Sequence, residues 1–167
     1  MELLERQEAL DELSRLALEA ASGTGRLVLI GGEAGVGKTT LVRHFTRGLP
    51  ARVRTLWGAC DPLSMPRPLG PLVDVAAEMA PALPRLLEED GARARLFSTV
   101  RDALQEAMLV LVFEDVHWAD DATLDLLRYL GRRLDVTRSL LLATYRDDEV
   151  GPRHPLRVAL GDLATSS

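Results

Sequence analysis

Residues Gly32-Glu33-Ala34-Gly35-Val36-Gly37-Lys38-Thr39 fit the spacing G-x-x-x-x-G-K-[ST] without a gap. Glycines at these places let the backbone turn so that successive N–H groups face one point. A helix opening there adds its positive end. The chemistry implied is phosphate binding, with Lys38 reaching the β and γ phosphates of a nucleotide and the Thr39 hydroxyl holding Mg²⁺. Thr40, counted with the loop, is expected to turn inward and serve structure. The string alone recurs by accident, but here it follows the apolar run Leu27–Ile30 and precedes a helical pattern. That is the context the mechanism requires.

A second group lies at "FEDVHWADD", Phe113 to Asp121, directly after the apolar run Met108–Val112. Two adjacent acids beside so apolar a stretch cost several kcal/mol unless something positive or hydrogen-bonding meets them. Acids so placed hold Mg²⁺, usually through water, and polarise a water that attacks a γ-phosphate. By position Glu114 is the metal-side acid and Asp115 the acid that activates water, although Asp is the usual residue at the first of these places. His117 is expected to satisfy a loop hydrogen bond, Trp118 to pack, and Asp120 or Asp121 to cap the next helix. A third polar tip, "ATYRDDEV", puts Thr144 and Arg146 where side chains could sense a γ-phosphate. The competing reading of Arg146 is a surface arginine paired with Asp147 or Asp148.

These tips need elements to carry them. Leu3, Leu10, Leu13, Ala17 and Ala20 give one apolar stripe, so residues 1–22 read as an N-terminal helix packed on the core. Leu27–Ile30 reads as a strand buried on both faces. A helix with Leu41, Val42 and Phe45 inward follows and ends at Gly48 and Pro50. Residues 52–57 alternate as a second strand. "CDPLSMPRPLGP", with Pro62, Pro66, Pro68 and Pro71, reads as an irregular loop.

Beyond it, Leu72, Val73, Ala76 and Met79 mark a helix, and Leu96, Phe97, Val100, Ala103, Leu104 and Ala107 another. Residues 108–113 are a third strand, 121–133 a helix facing Leu124, Leu127, Leu130 and Leu134 inward, 139–144 a fourth strand and 155–163 a last helix. Strands alternating with helices indicate an α/β three-layer sandwich around a parallel sheet. Ligands bind such sheets at the carboxyl ends of the strands. Both the glycine-rich loop and the acid pair fall there.

The chain has 167 residues, enough for one domain with a real core, and a formal net charge of −5. That balance argues against a general nucleic-acid surface, which needs clustered Lys and Arg. Cys60 is the single cysteine, so no intrachain disulfide forms, and it is expected to be buried rather than reactive. The start "MELLERQEAL" is acidic and amphipathic, unlike a secretory signal, and no apolar run approaches the ~18 residues of a bilayer span. A cytoplasmic protein with no membrane partner is expected.

"LLERQEALDEL", "GGEAGVGKTTLV", "LWGACDPLSMPRPLGPL", "LVFEDVHWADDATLDLL" and "LLATYRDDEVGPRHPLR" occur in this order. Together they resemble the N-terminal ATPase region of large ATP-binding LuxR-family transcriptional regulators. Those regulators belong to the signal-transduction ATPases with numerous domains, a branch related to the AAA+ enzymes. The resemblance spans Leu3 to about Leu160 and implies a phosphate-loop ATPase with an AAA+-like core that takes ATP and Mg²⁺ and serves as a regulatory switch. It matches residues 32–39 to the phosphate loop, Glu114 and Asp115 to the metal and catalytic acids, and Arg146 to the sensor arginine. It also puts Arg6 in a short motif near the adenine.

Such cores have five strands and a helical lid, whereas four strands are legible here. The expectation is therefore one partial domain, residues 1–167, lacking its last strand and lid, with the phosphate-loop strand at an exposed edge. The chain would be a truncated product, a fragment or a stand-alone remnant. Self-association or pairing with related ATPase domains is implied. Direct DNA binding is not expected, because the helix-turn-helix of such regulators is missing. Two other classes stand beside this one: a catalytically idle nucleotide-binding module, and a metabolic phosphate-loop kinase, which the paired acids disfavour.

Overall fold

A computed structural model describes residues 3–63, 65 and 67–164, with side chains from residue 6 onward. The expectations for the Leu3 side chain and for Pro66 lie outside the described residues. The order of elements is α1 (Leu3–Ala21), β1 (Arg26–Ile30), α2 (Lys38–Arg47), β2 (Arg54–Ala59), α3 (Gly70–Met79), α4 (Leu83–Glu88), α5 (Arg93–Glu106), β3 (Leu109–Glu114), α6 (Asp121–Gly131), β4 (Leu140–Thr144) and α7 (Pro155–Ala164). Two 3-10 turns, Val116–Trp118 and Leu134–Val136, flank α6.

All strand pairs are parallel, in the order β1-β4-β3-β2. Side chains alternate across the sheet and so build two cores. Leu109, Leu111 and Phe113 of β3 join Leu141 and Ala143 of β4 against α3 to α7. Val110 and Val112 join Leu140 and Leu142 against Leu13, Ala17 and Ala20 of α1 and Leu41, Val42 and Phe45 of α2. This is the expected three-layer α/β sandwich. Among the described residues no helix is long and apolar enough to cross a membrane.

Several local expectations change. β1 is half-buried rather than covered on both faces, because it is the edge strand, as the four-strand count implied. Full burial belongs to β3 and β4, the two central strands. β2 begins at Arg54 and runs to Ala59, with Leu56 buried on one face and Trp57 against the α1–α2 core on the other.

On α3 the inward valine is Val75, while Val73 is 39% exposed. Pro71 belongs to the first turn of α3, not to the loop. A missing N–H costs nothing there, because that N–H has no helical partner. The segment between α3 and α5 also folds as α4, anchored by buried Leu83. Ala107 caps α5 and is exposed, and α6 stops at Gly131, so that Leu134 reaches the core from a 3-10 turn.

Candidate functional site

Register brings the polar tips to one level. Ile30 pairs with Thr144, and Phe113 pairs with Ala143, so the chain leaves β1, β3 and β4 at the same end of the sheet. One strand, β4, separates β1 from β3, which leaves a gap of about 10 Å between their ends. By alternation Glu114 falls on the sheet face of Val110 and Val112, the face that α2 covers.

The glycine-rich loop turns through left-handed backbone at Gly35 (φ 76°) and Gly37 (φ 95°), and α2 opens at Lys38. A Cβ on Gly37 would meet the Arg6 guanidinium at 2.7 Å, so α1 delivers Arg6 directly against the loop. Arg6 Nε is buried there without a hydrogen-bond partner in the described structure. Lys38 is nearly buried, and its ammonium folds back over the loop, donating to the carbonyls of Gly32 (2.5 Å) and Glu33 (2.9 Å). Thr39 is half-buried at the helix mouth. Thr40 is exposed, contrary to the inward position expected, because the two buried residues of this turn are Leu41 and Val42.

Asp115 occupies left-handed backbone (φ 56°), a region Asp tolerates better than most residues. Its N–H donates to Thr144 Oγ1 at 3.1 Å. Thr144 itself is buried. It ends a central strand, and its hydroxyl oxygen accepts the Asp115 N–H while its own O–H remains free to donate. The loop hydrogen bonding expected of His117 is half right. Nδ1 accepts from the Arg146 N–H at 3.4 Å, but the buried Nε2 has no partner in the described structure. Burial pushes the His117 pKa below 6.5, against the pull of Asp115 and Glu149 and with help from Arg146 and Lys38.

Arg146 does pair with a loop acid, but the partner is Glu149 at 2.5 Å rather than Asp147 or Asp148. The same bond holds the Glu149 carboxyl below its ordinary 4.5. The guanidinium lies over Trp118, 5.2 Å from the ring centre. Asp120 is the cap of α6, accepting from the N–H groups of Ala122 and Thr123 and from Leu69 N–H at 3.1 Å. Cys60 is buried as expected. Its thiol is pushed up to about 12, first by burial and then by Asp120, Asp115, Asp61 and Asp74, so it stays protonated and unreactive.

The donors fit Mg²⁺ carried by a nucleotide. A threonine hydroxyl and two carboxylates are hard oxygen ligands, and Mg²⁺ takes few protein ligands beside phosphate and water. Among the described residues no cluster of three or more His, Cys, Asp or Glu could hold a metal ion on its own.

The fold and this loop define a phosphate-loop α/β protein of the AAA+ type. The family model for the AAA ATPase domain matches residues 2–143, and the chain belongs to that family. An uncharacterized protein of Rhizobium meliloti (strain 1021) is 28% identical over 210 aligned residues, covering 96% of this chain and 20% of the relative. The chain thus spans about a fifth of the length of that curated relative. Among solved structures, a chain of Drosophila ORC bound to DNA superposes with a TM-score of 0.58 at 14% identity, covering 97% of this chain and 85% of that one. C. elegans PCH-2 gives 0.56 at 15% identity, covering 98% and 42%. The ORC1 protein of Aeropyrum pernix in complex with DNA gives 0.53 at 16% identity, covering 96% and 49%. These likenesses share the fold.

Proposed function

We propose that this domain binds ATP with Mg²⁺ between the glycine-rich loop and the end of β3. We further propose that it is the nucleotide switch of a LuxR-type transcriptional regulator. The observation that carries the binding reading is Lys38, whose ammonium rests on loop carbonyls at the mouth of α2, the place phosphates take. On binding, Lys38 exchanges those carbonyls for the β and γ phosphates, while the N–H groups of residues 33 to 40 cradle them. Thr39, Glu114 and Asp115 hold Mg²⁺, which when bound neutralises phosphate charge. Asp115 orients a water and takes its proton, Arg146 meets the γ-phosphate, and Arg6 contacts the nucleotide from α1. AAA ATPase membership supports nucleotide binding and possible hydrolysis.

The second reading, an idle nucleotide-binding module, is favoured by the Arg146–Glu149 pair, which already occupies the guanidinium of the sensor candidate. Two measurements separate them. Lys38→Ala should abolish Mg²⁺-dependent ATP binding while the circular dichroism stays unchanged. Retained binding would refute the site. Phosphate release lost in Asp115→Asn supports the enzyme, and no release from the parent chain supports the idle module. Asn tolerates left-handed backbone as Asp does, so this variant changes the chemistry and not the turn.

The regulator reading is the finer one and rests on the motif order. It predicts ATP-dependent self-association, or pairing with related ATPase domains, and no operator binding by this chain alone. Light scattering with and without ATP, and a gel-shift assay, test those two points. It also makes the domain a cytoplasmic one.

A further inference from the structure

Beyond the strand ends, Glu149 stands among three donors. It is bonded to one of them, the Arg146 guanidinium, at 2.5 Å. The Trp118 indole N–H is the second, and His117 is the third. Because His117 Nδ1 accepts the backbone N–H of Arg146, the neutral ring carries its proton on Nε2. That Nε2 is buried without a hydrogen-bond partner in the described structure and lies 3.6 Å from Glu149 Oε2, just past bonding reach. An unsatisfied buried donor is costly, and a carboxylate within a small side-chain rotation would satisfy it. Arg146 meanwhile stays parked over Trp118, whose own ring lies 4.4 Å from the His117 ring.

We propose that Glu149 is a positioning residue that latches Arg146 on Trp118 when no γ-phosphate is present, and passes to His117 Nε2–H when Arg146 turns to the nucleotide. The inference rests on the ATP reading above. Both arrangements satisfy Glu149, but only the second satisfies His117, and a γ-phosphate compensates Arg146 for its lost partner. The planar guanidinium binds phosphate as well as it binds carboxylate. A ligand moves such an equilibrium only through a difference in affinity for the two states, so the latch acts on the choice of ATP over ADP. Asp115 also attracts Arg146.

The test compares Mg²⁺-AMP-PNP and Mg²⁺-ADP affinities for the parent chain, Glu149→Gln, Glu149→Ala, Arg146→Ala and the Glu149→Gln/Arg146→Ala double variant. Releasing the latch should tighten AMP-PNP binding about fivefold and leave ADP unchanged, because the bond between the two charges of Glu149 and Arg146 outweighs the one to neutral His117 that is lost with it. The gain should vanish when Arg146 is alanine. In the parent chain the ¹⁵N-labelled His117 Nε2–H should become slowly exchanging with AMP-PNP and not with ADP. An unchanged AMP-PNP to ADP ratio in both Glu149 variants, or the same gain without Arg146, overturns the latch. Lys38→Ala distinguishes the two failures. If the parent shows no Lys38-dependent binding, the ATP reading falls and the latch with it. If that binding is normal and Glu149 has no effect, the latch alone falls.

Discussion

At the scale of single residues, the loop depends on two unusual backbone demands that side chains enforce. Gly37 has φ 95° and the Arg6 guanidinium where its Cβ would go. Gly37→Ala should therefore cost about 1–2 kcal/mol of backbone strain and also displace Arg6. Urea unfolding should show that loss, and nucleotide affinity should fall more than stability does, since the loop itself deforms. The turn at Gly35 and Gly37 and the helix opening at Lys38 were readable from the spacing, because glycine is the residue that takes left-handed backbone freely. The assignments of Thr144 and Arg146 were not readable in the same way. A strand-end threonine looks alike whether it faces a ligand or, as here, receives the Asp115 N–H. The arginine's partner, Glu149, is three residues on, beyond the adjacent acids that looked nearer.

At the scale of elements, α6 and the loop after β2 are joined through one carboxylate. Asp120 accepts from Ala122 and Thr123 at the start of α6 and from Leu69, which itself sits at φ 53°. Asp120→Ala removes a cap and leaves the Leu69 N–H without its acceptor. The expected loss is about 2–3 kcal/mol, most of it from the cap and the abandoned donor. Asp120→Asn should recover most of it, and the midpoint of urea denaturation reads both. The cap was legible as one of two adjacent aspartates. Its second duty was not, because residue 69 is far away in sequence. The same limit explains α3: periodicity found the helix, but it chose Val73 over Val75 as the inward valine.

At the scale of the molecule, stability should depend on pH through His117 first. Its folded pKa is depressed, so between that value and 6.5 the unfolded chain binds a proton that the folded chain refuses. Stability then falls as pH drops below about 6.5 and levels off below the folded value. Glu149, depressed below 4.5 by Arg146, adds a separate loss at lower pH as it protonates. Thermal unfolding of nucleotide-free protein from pH 7.5 downward should show the first decline in the parent chain and not in His117→Gln.

The sequence by itself determined the layers, the parallel sheet and the phosphate loop. All three follow from local rules: helical and strand periodicity, and the few residue types that can turn a backbone around phosphate. The edge position of β1 was expected as well, but only the tertiary structure decided which strand lies at the other edge and which face of α3 is buried. It alone also showed that Thr144 serves Asp115 and that Glu149 holds Arg146 beside a buried, unsatisfied His117. Those relations are distances between chain segments brought together by packing, and no local pattern encodes them.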